Sequence, residues 1–160
     1  MKAALEKMAH NEFGHIPVVK VTKWAMPDWS IIDYTDVHEI ATFYNIVERK
    51  ILFDRKEVKA AGINNVITNP AFRKQGLATR LLVSTKDFIF DELQCETGML
   101  LCADSLIPFY HKLQWYKTDA TVLFDQPDVK GKVWPANAML LNNKNEKVNP
   151  KEINLNGLPW

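Results

Sequence analysis

The chain has 160 residues, of which 47% are hydrophobic and 24% are charged, and its formal net charge is +1. This length predicts one domain, residues 1–160, built around one core. So small a net charge gives no general attraction to nucleic acid or to a membrane surface, and no apolar run approaches the roughly eighteen residues of a membrane-spanning helix.

The two cysteines, Cys95 and Cys102, form no C-x-x-C pair and no pattern with histidine that resembles a metal site. The segment Met1–Met8 lacks the apolar stretch of a secretory signal. We therefore expect a cytoplasmic protein without a metal. Cys102 is interpreted as a small buried residue rather than a nucleophile, because a reactive thiol needs an accessible, electropositive setting.

The first half of the chain predicts a helix followed by strands. Ala3–Glu12 has helix-forming composition, and Ile16–Pro27 reads as an irregular or short extended connection. An antiparallel meander of three strands follows, at Trp29–Tyr34, Val37–Glu48 and Glu57–Thr68.

The second half predicts a long helix over Leu77–Leu93 and a short buried strand over Met99–Ala103, with a helix after it. Thr121–Phe124 and Val133–Leu141 are predicted to form a closing hairpin. The tail, residues 142–160, is rich in Asn and Lys until its last residues.

The turn between the third strand and the long helix is shaped to hold an anion. Pro70 stops the strand, and Gly76 lets the backbone bend or approach a ligand. The N–H groups of the first helical turn and the positive end of the helix dipole predict a phosphate cradle, beside which Arg73 and Lys74 add two charges. The pattern is neither a Walker A loop nor the G-x-G-x-x-G of a dinucleotide fold.

Read as R-x-x-G-x-A, residues 73–78 resemble the pyrophosphate loop of the Gcn5-related N-acetyltransferases, the GNAT enzymes. Phe109–Trp115 resembles the FYxKxGF-like signature of the same family, with Gln114 in place of the usual glycine. The order of elements over residues 29–141 carries the resemblance: strand, hairpin, strand, basic turn, helix, strand, helix, strand.

The resemblance implies an α+β fold whose mostly antiparallel central sheet is splayed between the fourth and fifth strands and flanked by helices. The N-terminal portion is shorter than in the family. The first edge strand is therefore either missing or replaced by Val18–Trp24.

The resemblance also implies acetyl-CoA as the acyl donor. In the family the diphosphate rests on loop amides, which correspond here to Arg73, Lys74, Gln75, Gly76, Leu77 and Ala78. Backbone N–H groups that meet the thioester oxygen, where the fourth strand bulges, correspond to Val66, Ile67 and Thr68.

Tyr110 is predicted to be the general acid, because a phenol with a pKa of about 10 can protonate a departing thiolate with a pKa near 8.5. The alternative is a core tyrosine.

More particularly, the chain resembles the aminoglycoside 2′-N-acetyltransferases and the nodulation-factor N-acyltransferases. The aminoglycoside enzymes use an acidic residue where this chain has Asn64, which can orient an amine but cannot ionise. His38, Glu39 and Glu48, on the preceding predicted strand, are the candidate substitutes for the base.

Trp160 is predicted to place its indole and its carboxylate in the acceptor pocket, with an unstructured aromatic end as the alternative. Because the last residues carry no acidic side chain, a polycationic acceptor is not favoured. The expected partner is a small-molecule or peptide amine, with His38 also on the acceptor side, and a homodimer is compatible with these expectations.

Two further functions remain open: an N-acyltransferase that uses a longer acyl donor, and a CoA-binding sensor or scaffold without efficient turnover.

Overall fold

The computed structural model describes residues 1–144 and 146–160. The helices are α1 (Lys2–Phe13), α2 (Pro17–Val21), α3 (Leu77–Ser84) and α4 (Ile107–Lys112). The strands are β1 (Trp29–Tyr34), β2 (Ile40–Phe53), β3 (Lys56–Thr68), β4 (Thr97–Cys102), β5 (Tyr116–Thr118), β6 (Thr121–Gln126), β7 (Val129–Val133), β8 (Asn137–Asn142) and β9 (Glu152–Asn154). No helix in the described part of the chain is long and apolar enough to cross a membrane.

The N-terminal segment confirms one predicted helix and corrects one predicted connection. α1 covers the predicted helix. α2 forms where the sequence predicts an irregular connection, because Pro17 takes the first helical position, where its fixed φ fits and its missing N–H costs nothing. Residues 18–24 form no strand, so they do not replace the first edge strand of the family fold.

β1, β2 and β3 form the predicted antiparallel meander. β1 has the predicted bounds. β2 begins at Ile40 rather than Val37, because His38 lies in the preceding turn with a φ of 61°. Asp54 and Arg55 join β2 to β3, and both have positive φ, as a two-residue hairpin turn requires.

A bulge interrupts β3 near its end. Asn45 pairs with Asn64 and Phe43 pairs with Ile67, so the single β2 residue between them faces two residues of β3. Asn65 is one of those two and has a φ of 50°. An extra residue of this kind bends the strand. The bulge lies where the family resemblance places it, on the strand before the basic turn.

β3 and β4 run parallel and separate after a short paired region. Pairing joins Ala60–Ile63 to Thr97–Leu100. β3 then continues to Thr68 and β4 to Cys102 without further pairing between them. The predicted splay between the family's fourth and fifth strands is therefore present, and in this chain those strands are β3 and β4. We call the space between the separated strand ends the wedge.

The sheet buries apolar side chains on both faces. Because side chains alternate along a strand, one face of β2 and β3 packs against α3 and α4, and we call it the α3 face. It carries Tyr44, Ile46, Ala61 and Ile63. The opposite face, called the α1 face, has one cluster under α1 and a second that contains the end of the chain. The first cluster is Leu5, Phe43 and Ile67, and the second includes Val47, Met99, Ile153 and Trp160.

The predicted closing hairpin is wrong in its pairing. β6 pairs with β7, whereas β8 lies between β4 and β5. β8 is buried along its middle, which suits a strand with neighbours on both sides, and β7 is exposed along its whole length, which suits an edge.

The predicted helix over Leu77–Leu93 is interrupted. α3 ends at Ser84, and a π-helical turn over Phe88–Glu92 follows. The Thr85 hydroxyl donates to the carbonyl oxygen of Leu81 at 2.8 Å and also bonds the hydroxyl of Tyr44. Such side-chain bonds to the backbone compete with regular helix.

Candidate donor and acceptor site

The turn before α3 presents backbone donors to open space. Within the described residues, the N–H groups of residues 74–79 have no hydrogen-bond partner. Gly76 has a φ of 72°, and a Cβ built on it would meet nothing within 4 Å. Unpaired N–H groups at a helix start form an anion site together with the helix dipole. This segment, residues 74–79, is called the amide cradle below.

The cradle is fixed to the end of the sheet. The side chain of Asn69 accepts a hydrogen bond from the N–H of Ala71 at 3.1 Å, and the Asn69 N–H donates to the carbonyl of Ala41 at 2.9 Å. Pro70 opens a short 3-10 turn at this point. The strand end and the cradle are therefore held in a fixed relation to each other.

The two basic side chains of the loop differ. Arg73 Nε donates to the carbonyl of Thr68 at 3.1 Å, and Arg73 Nη2 lies 2.6 Å from Glu12 Oε2 on α1. Lys74 is exposed and forms no ion pair with any described residue. Lys74 therefore has a positive charge that no described carboxylate neutralises, whereas Arg73 is paired with Glu12.

The predicted oxyanion segment lines the wedge. From Asn64 to Thr68, β3 has no strand partner on the side that faces β4. Val66 packs towards the α3 face and Ile67 packs under α1, so the strand end is supported from both faces. The Thr68 hydroxyl shares a 3.1 Å hydrogen bond with that of Thr42. The role of these N–H groups stays a prediction.

Asn64 carries a buried acceptor without a partner. Its Oδ1 makes no hydrogen bond to any described residue. Opposite Asn64 in the sheet is Asn45, whose Oδ1 accepts a 2.7 Å hydrogen bond from the hydroxyl of Ser30. These polar side chains form a row across the α1 face, between its two apolar clusters. A buried acceptor is normally paired, so an unpaired one here suits a ligand that brings a donor.

Tyr110 lies on α4 in the core of the α3 face. Its ring contacts Phe109 edge to face, with 5.0 Å between the centroids, and lies 6.1 Å from Trp115. Burial, and secondly the nearby Cys102, raise the pKa of Tyr110 well above its ordinary value. The phenol is therefore protonated at neutral pH, as a proton donor must be. Burial is also the main factor that raises the pKa of Cys102, which is a thiol at neutral pH and not a thiolate.

The structure does not bring the candidate bases to Asn64. His38 and Glu39 are exposed in the turn before β2. Glu48 Oε1 lies 2.7 Å from Lys59 Nζ, and its hydrogen bond to Lys59 lowers the pKa of Glu48. Strand alternation also places Glu48 on the face opposite Asn64.

Trp160 is docked in the core. The residue is 2% exposed, and its indole Nε1 donates to the carbonyl of Met99 at 3.2 Å. The alternative of an unstructured end is therefore wrong, and so is the expectation of an indole that lines the pocket, because no flat ring surface remains free. Arg49 holds the same segment, since its Nη1 donates to the carbonyls of Leu155 and Leu158 at 3.1 and 2.8 Å.

Arg49 and Gly62 support the end of the chain, and the sequence analysis does not identify either of them. The indole of Trp160 packs on Gly62, and the Arg49 guanidinium lies 5.7 Å from the centroid of the same ring. A glycine inside a strand often marks a close approach by another group, so Gly62 carried a usable signal. Arg49 carried none, because its partners lie more than a hundred residues away in the chain.

Two surface clefts lie away from the wedge. One of about 480 Å³ is lined by Asp28, Trp29, Glu48, Arg49, Lys50 and Lys59. The other, of about 720 Å³, borders the starts of β3 and β4. That end of β3 is roughly 30 Å from the amide cradle, since a strand rises about 3.3 Å per residue. Neither cleft is lined by the amide cradle or by residues 64–68 of β3.

Solved structures share this architecture. A putative N-acetyltransferase from Lactobacillus plantarum matches with a TM-score of 0.60 and 15% identity over 88% of this chain and 89% of its own. A mutant of the spermidine N-acetyltransferase SpeG from Vibrio cholerae matches at 0.54 and 13% over 88% and 74%. The GNAT family N-acetyltransferase YhbS from Escherichia coli, solved in complex with CoA, matches at 0.53 and 11% over 92% and 75%. The chain has the GNAT fold.

No family model matches the chain, and no curated protein matches its sequence. The chain spans only 20% of a GCN5-related N-acetyltransferase from Kribbella flavida and 29% of a probable N-acyltransferase from Enterococcus faecalis. These likenesses do not assign the chain to the aminoglycoside or nodulation-factor subgroup.

Proposed function

We propose that the chain is an acyl-CoA-dependent N-acyltransferase that transfers an acetyl group from acetyl-CoA to a primary amine of a small molecule or an amino terminus. The observation that carries this proposal is the amide cradle, with its unpaired N–H groups beside the wedge. A structural neighbour solved with CoA supports the same class of donor.

The residues present fit a CoA diphosphate. The cradle offers N–H donors from residues 74–79, the open space at Gly76 lets the phosphates approach, and Lys74 adds a positive charge. The wedge begins at the bulge of β3, close to the cradle, so a thioester arm can reach it from a diphosphate held on the loop.

Acetyl-CoA supplies the reactive thioester. In the proposed reaction a neutral amine nitrogen forms a bond to the acetyl carbon, and the carbon–sulfur bond breaks. The nitrogen loses one proton to solvent, the leaving sulfur takes one from Tyr110, and Tyr110 regains a proton from solvent. Tyr110 holds the proton that the thiolate receives, since burial keeps its phenol neutral. The strand end at Val66, Ile67 and Thr68 offers N–H groups to the thioester oxygen.

Asn64 is proposed to orient the acceptor. Its unpaired Oδ1 can accept a hydrogen bond from the amine, and the polar row that it shares with Asn45 and Ser30 is uncharged. A row without a carboxylate offers no ion pair to an acceptor with several positive charges, so such an acceptor is disfavoured. This distinguishes the proposed acceptor from the polyamine named for the Vibrio cholerae neighbour.

A second candidate is a CoA-binding sensor or scaffold. It is favoured by one observation: none of His38, Glu39 and Glu48 hydrogen-bonds or ion-pairs with Asn64 among the described contacts, so no ionisable base meets the polar row. The first candidate retains priority because an amine that enters in its neutral form needs no strong base. A longer acyl donor also remains an alternative within the same reaction class.

The test has two stages. Isothermal titration with CoA should show binding to the unaltered protein and a loss of at least about tenfold in Gly76→Val, because the branched side chain would occupy the space that the phosphates need. Gly131→Val is the matched control, since Gly131 has a similar φ of 66° and equally open surroundings but lies in the β6–β7 hairpin. Equal CoA affinity in folded G76V and G131V would contradict the donor site.

The second stage separates the two candidate functions. Release of the CoA thiol from acetyl-CoA is followed with a library of mono- and polyamines. Amine-dependent release supports the transferase, whereas CoA binding without release for any amine supports the sensor.

A further inference from the structure

We infer, on the basis of the donor site proposed above, that Glu12 competes with the bound diphosphate for Arg73. Donor binding then moves Arg73 from α1 to the ligand and loosens α1 from the sheet. The ion pair between Arg73 Nη2 and Glu12 Oε2 is 2.6 Å long, and Arg73 Nε is held by the Thr68 carbonyl at 3.1 Å.

The guanidinium of Arg73 cannot serve the protein and a phosphate with the same edge. Nε and Nη2 form the edge that binds a phosphate through two parallel hydrogen bonds. In this structure that edge is occupied by Thr68 and Glu12. A diphosphate on the adjacent amide cradle therefore brings negative charge towards the Glu12 carboxylate and offers Arg73 a stronger partner.

The exchange is physically accessible. The side chains of Arg73 and Glu12 are 45% and 39% exposed, so a ligand reaches them from solvent. Both partners bind Arg73 through charge-assisted hydrogen bonds, but a diphosphate carries more negative charge than one carboxylate and is held in place by the amide cradle, whereas an exposed ion pair contributes little stability. The ion pair to Glu12 should therefore yield to the diphosphate.

The other contacts of α1 are mainly apolar. Leu5 is its one buried residue, and Met8, Ala9 and Phe13 are partly buried beside it against Phe43 and Ile67 of the sheet. The Glu12–Arg73 pair is the one described ion pair between α1 and the rest of the chain. Ile67 belongs to the strand end that lines the wedge, so release of α1 opens the α1 face beside Asn64.

The first experiment measures CoA affinity by isothermal titration at low salt. Glu12→Gln should bind CoA about two- to fivefold more tightly than the unaltered protein, the range set by the value of an exposed ion pair, and the gain should shrink as salt screens it. Glu6→Gln is the matched control on the same helix, since Glu6 pairs only with Lys2 among the described ion pairs. Unchanged or weaker binding in E12Q would overturn the inference, because Glu12 would then merely orient Arg73.

The second experiment follows hydrogen exchange of residues 2–13. CoA should speed exchange in the unaltered protein by about two- to fivefold, the range set by an exposed ion pair, and E12Q should show the same increase already without CoA. Unchanged or slower exchange on binding contradicts the release of α1. If the unaltered protein binds no CoA, the proposed function and this inference both fail; if it binds CoA and E12Q behaves like the unaltered protein, only the inference fails.

Discussion

The indole of Trp160 lies against the backbone of Gly62, so close that a Cβ at Gly62 would stand 2.2 Å from Trp160 Cδ2. The guanidinium of Arg49 lies 5.7 Å from the centroid of the same ring. With Nε1 bonded to the Met99 carbonyl, the ring joins β2, β3 and β4 just where the last two strands are still paired. The end of the chain thus supports the base of the wedge, and only a glycine at position 62 permits it.

Gly62→Ala should therefore destabilise the fold. The added methyl group overlaps the ring, and relief requires a shift of Trp160 or of β3, which typically costs about 1–3 kcal/mol. Urea denaturation measures the change in the free energy of unfolding. Gly131→Ala is a useful control, because its Cβ meets nothing within 4 Å and only the positive φ opposes the substitution.

Trp160→Ala should cost about 3–5 kcal/mol, since it removes a buried aromatic ring. Because the clash at position 62 disappears with the ring, the double variant G62A/W160A should lose less stability than the sum of the single variants. A double-mutant cycle in the same denaturation assay measures this coupling. Strict additivity would mean that the two residues do not press on each other.

Tyr110→Phe should lower turnover about a hundredfold and leave CoA affinity nearly unchanged. General acid catalysis contributes ~10²–10⁴-fold, and a thiolate leaves readily enough to place the loss at the lower end. Single-turnover thiol release, in which chemistry limits the rate, is the appropriate measurement. Tyr116→Phe serves as the control, since the hydroxyl of Tyr116 bonds Val148 and lies on β5. Full turnover in Y110F would make Tyr110 a packing residue.

Asn64→Leu should raise the KM for the acceptor amine about two- to tenfold, the value of one neutral hydrogen bond, without changing the affinity for CoA. Steady-state kinetics with an amine identified by thiol release provides the measurement. Asn142→Leu is the matched control, because Asn142 also carries a buried unpaired Oδ1 but lies at the far end of the sheet. An equal effect of both substitutions on KM would show that Asn64 acts only through the fold.

The parts of the fold that the sequence predicts correctly are those set by local signals. Pro70 and Gly76 delimit the loop, and the alternation of apolar residues gives β1 and β3. The parts that it misses depend on contacts between distant segments. β9 pairs with the end of β2 through Leu52 and Asn154, and β8 inserts beside β4 instead of pairing with β6.

The candidate site divides in the same way. The amide cradle could be predicted because one short segment builds it. The engagement of Arg73 by Glu12 could not, since the two residues are 61 positions apart and the ion pair depends on where α1 packs. The burial of Trp160 likewise depends on a strand glycine and on Arg49, which no local pattern links to the end of the chain.

Tyr44 predicts how stability depends on alkaline pH. Burial raises the pKa of Tyr44 to about 12, and the hydrogen bond to Thr85 lowers it by less. In the unfolded chain a tyrosine has a pKa of about 10. The folded state therefore favours the neutral phenol, and this contribution to the free energy of unfolding is fully present below about pH 10.

As the pH rises from about 10 to about 12, the unfolded chain ionises first and the contribution of Tyr44 is lost, by about 2–3 kcal/mol for a difference of two pKa units. Above about pH 12 the loss levels off, because both states are ionised. Urea denaturation across this range should show a smaller alkaline loss in Tyr44→Phe, which is less stable at neutral pH but has no phenol to ionise at this site. The same alkaline slope in Y44F and in the unaltered protein would assign the loss to other buried groups, such as Tyr110.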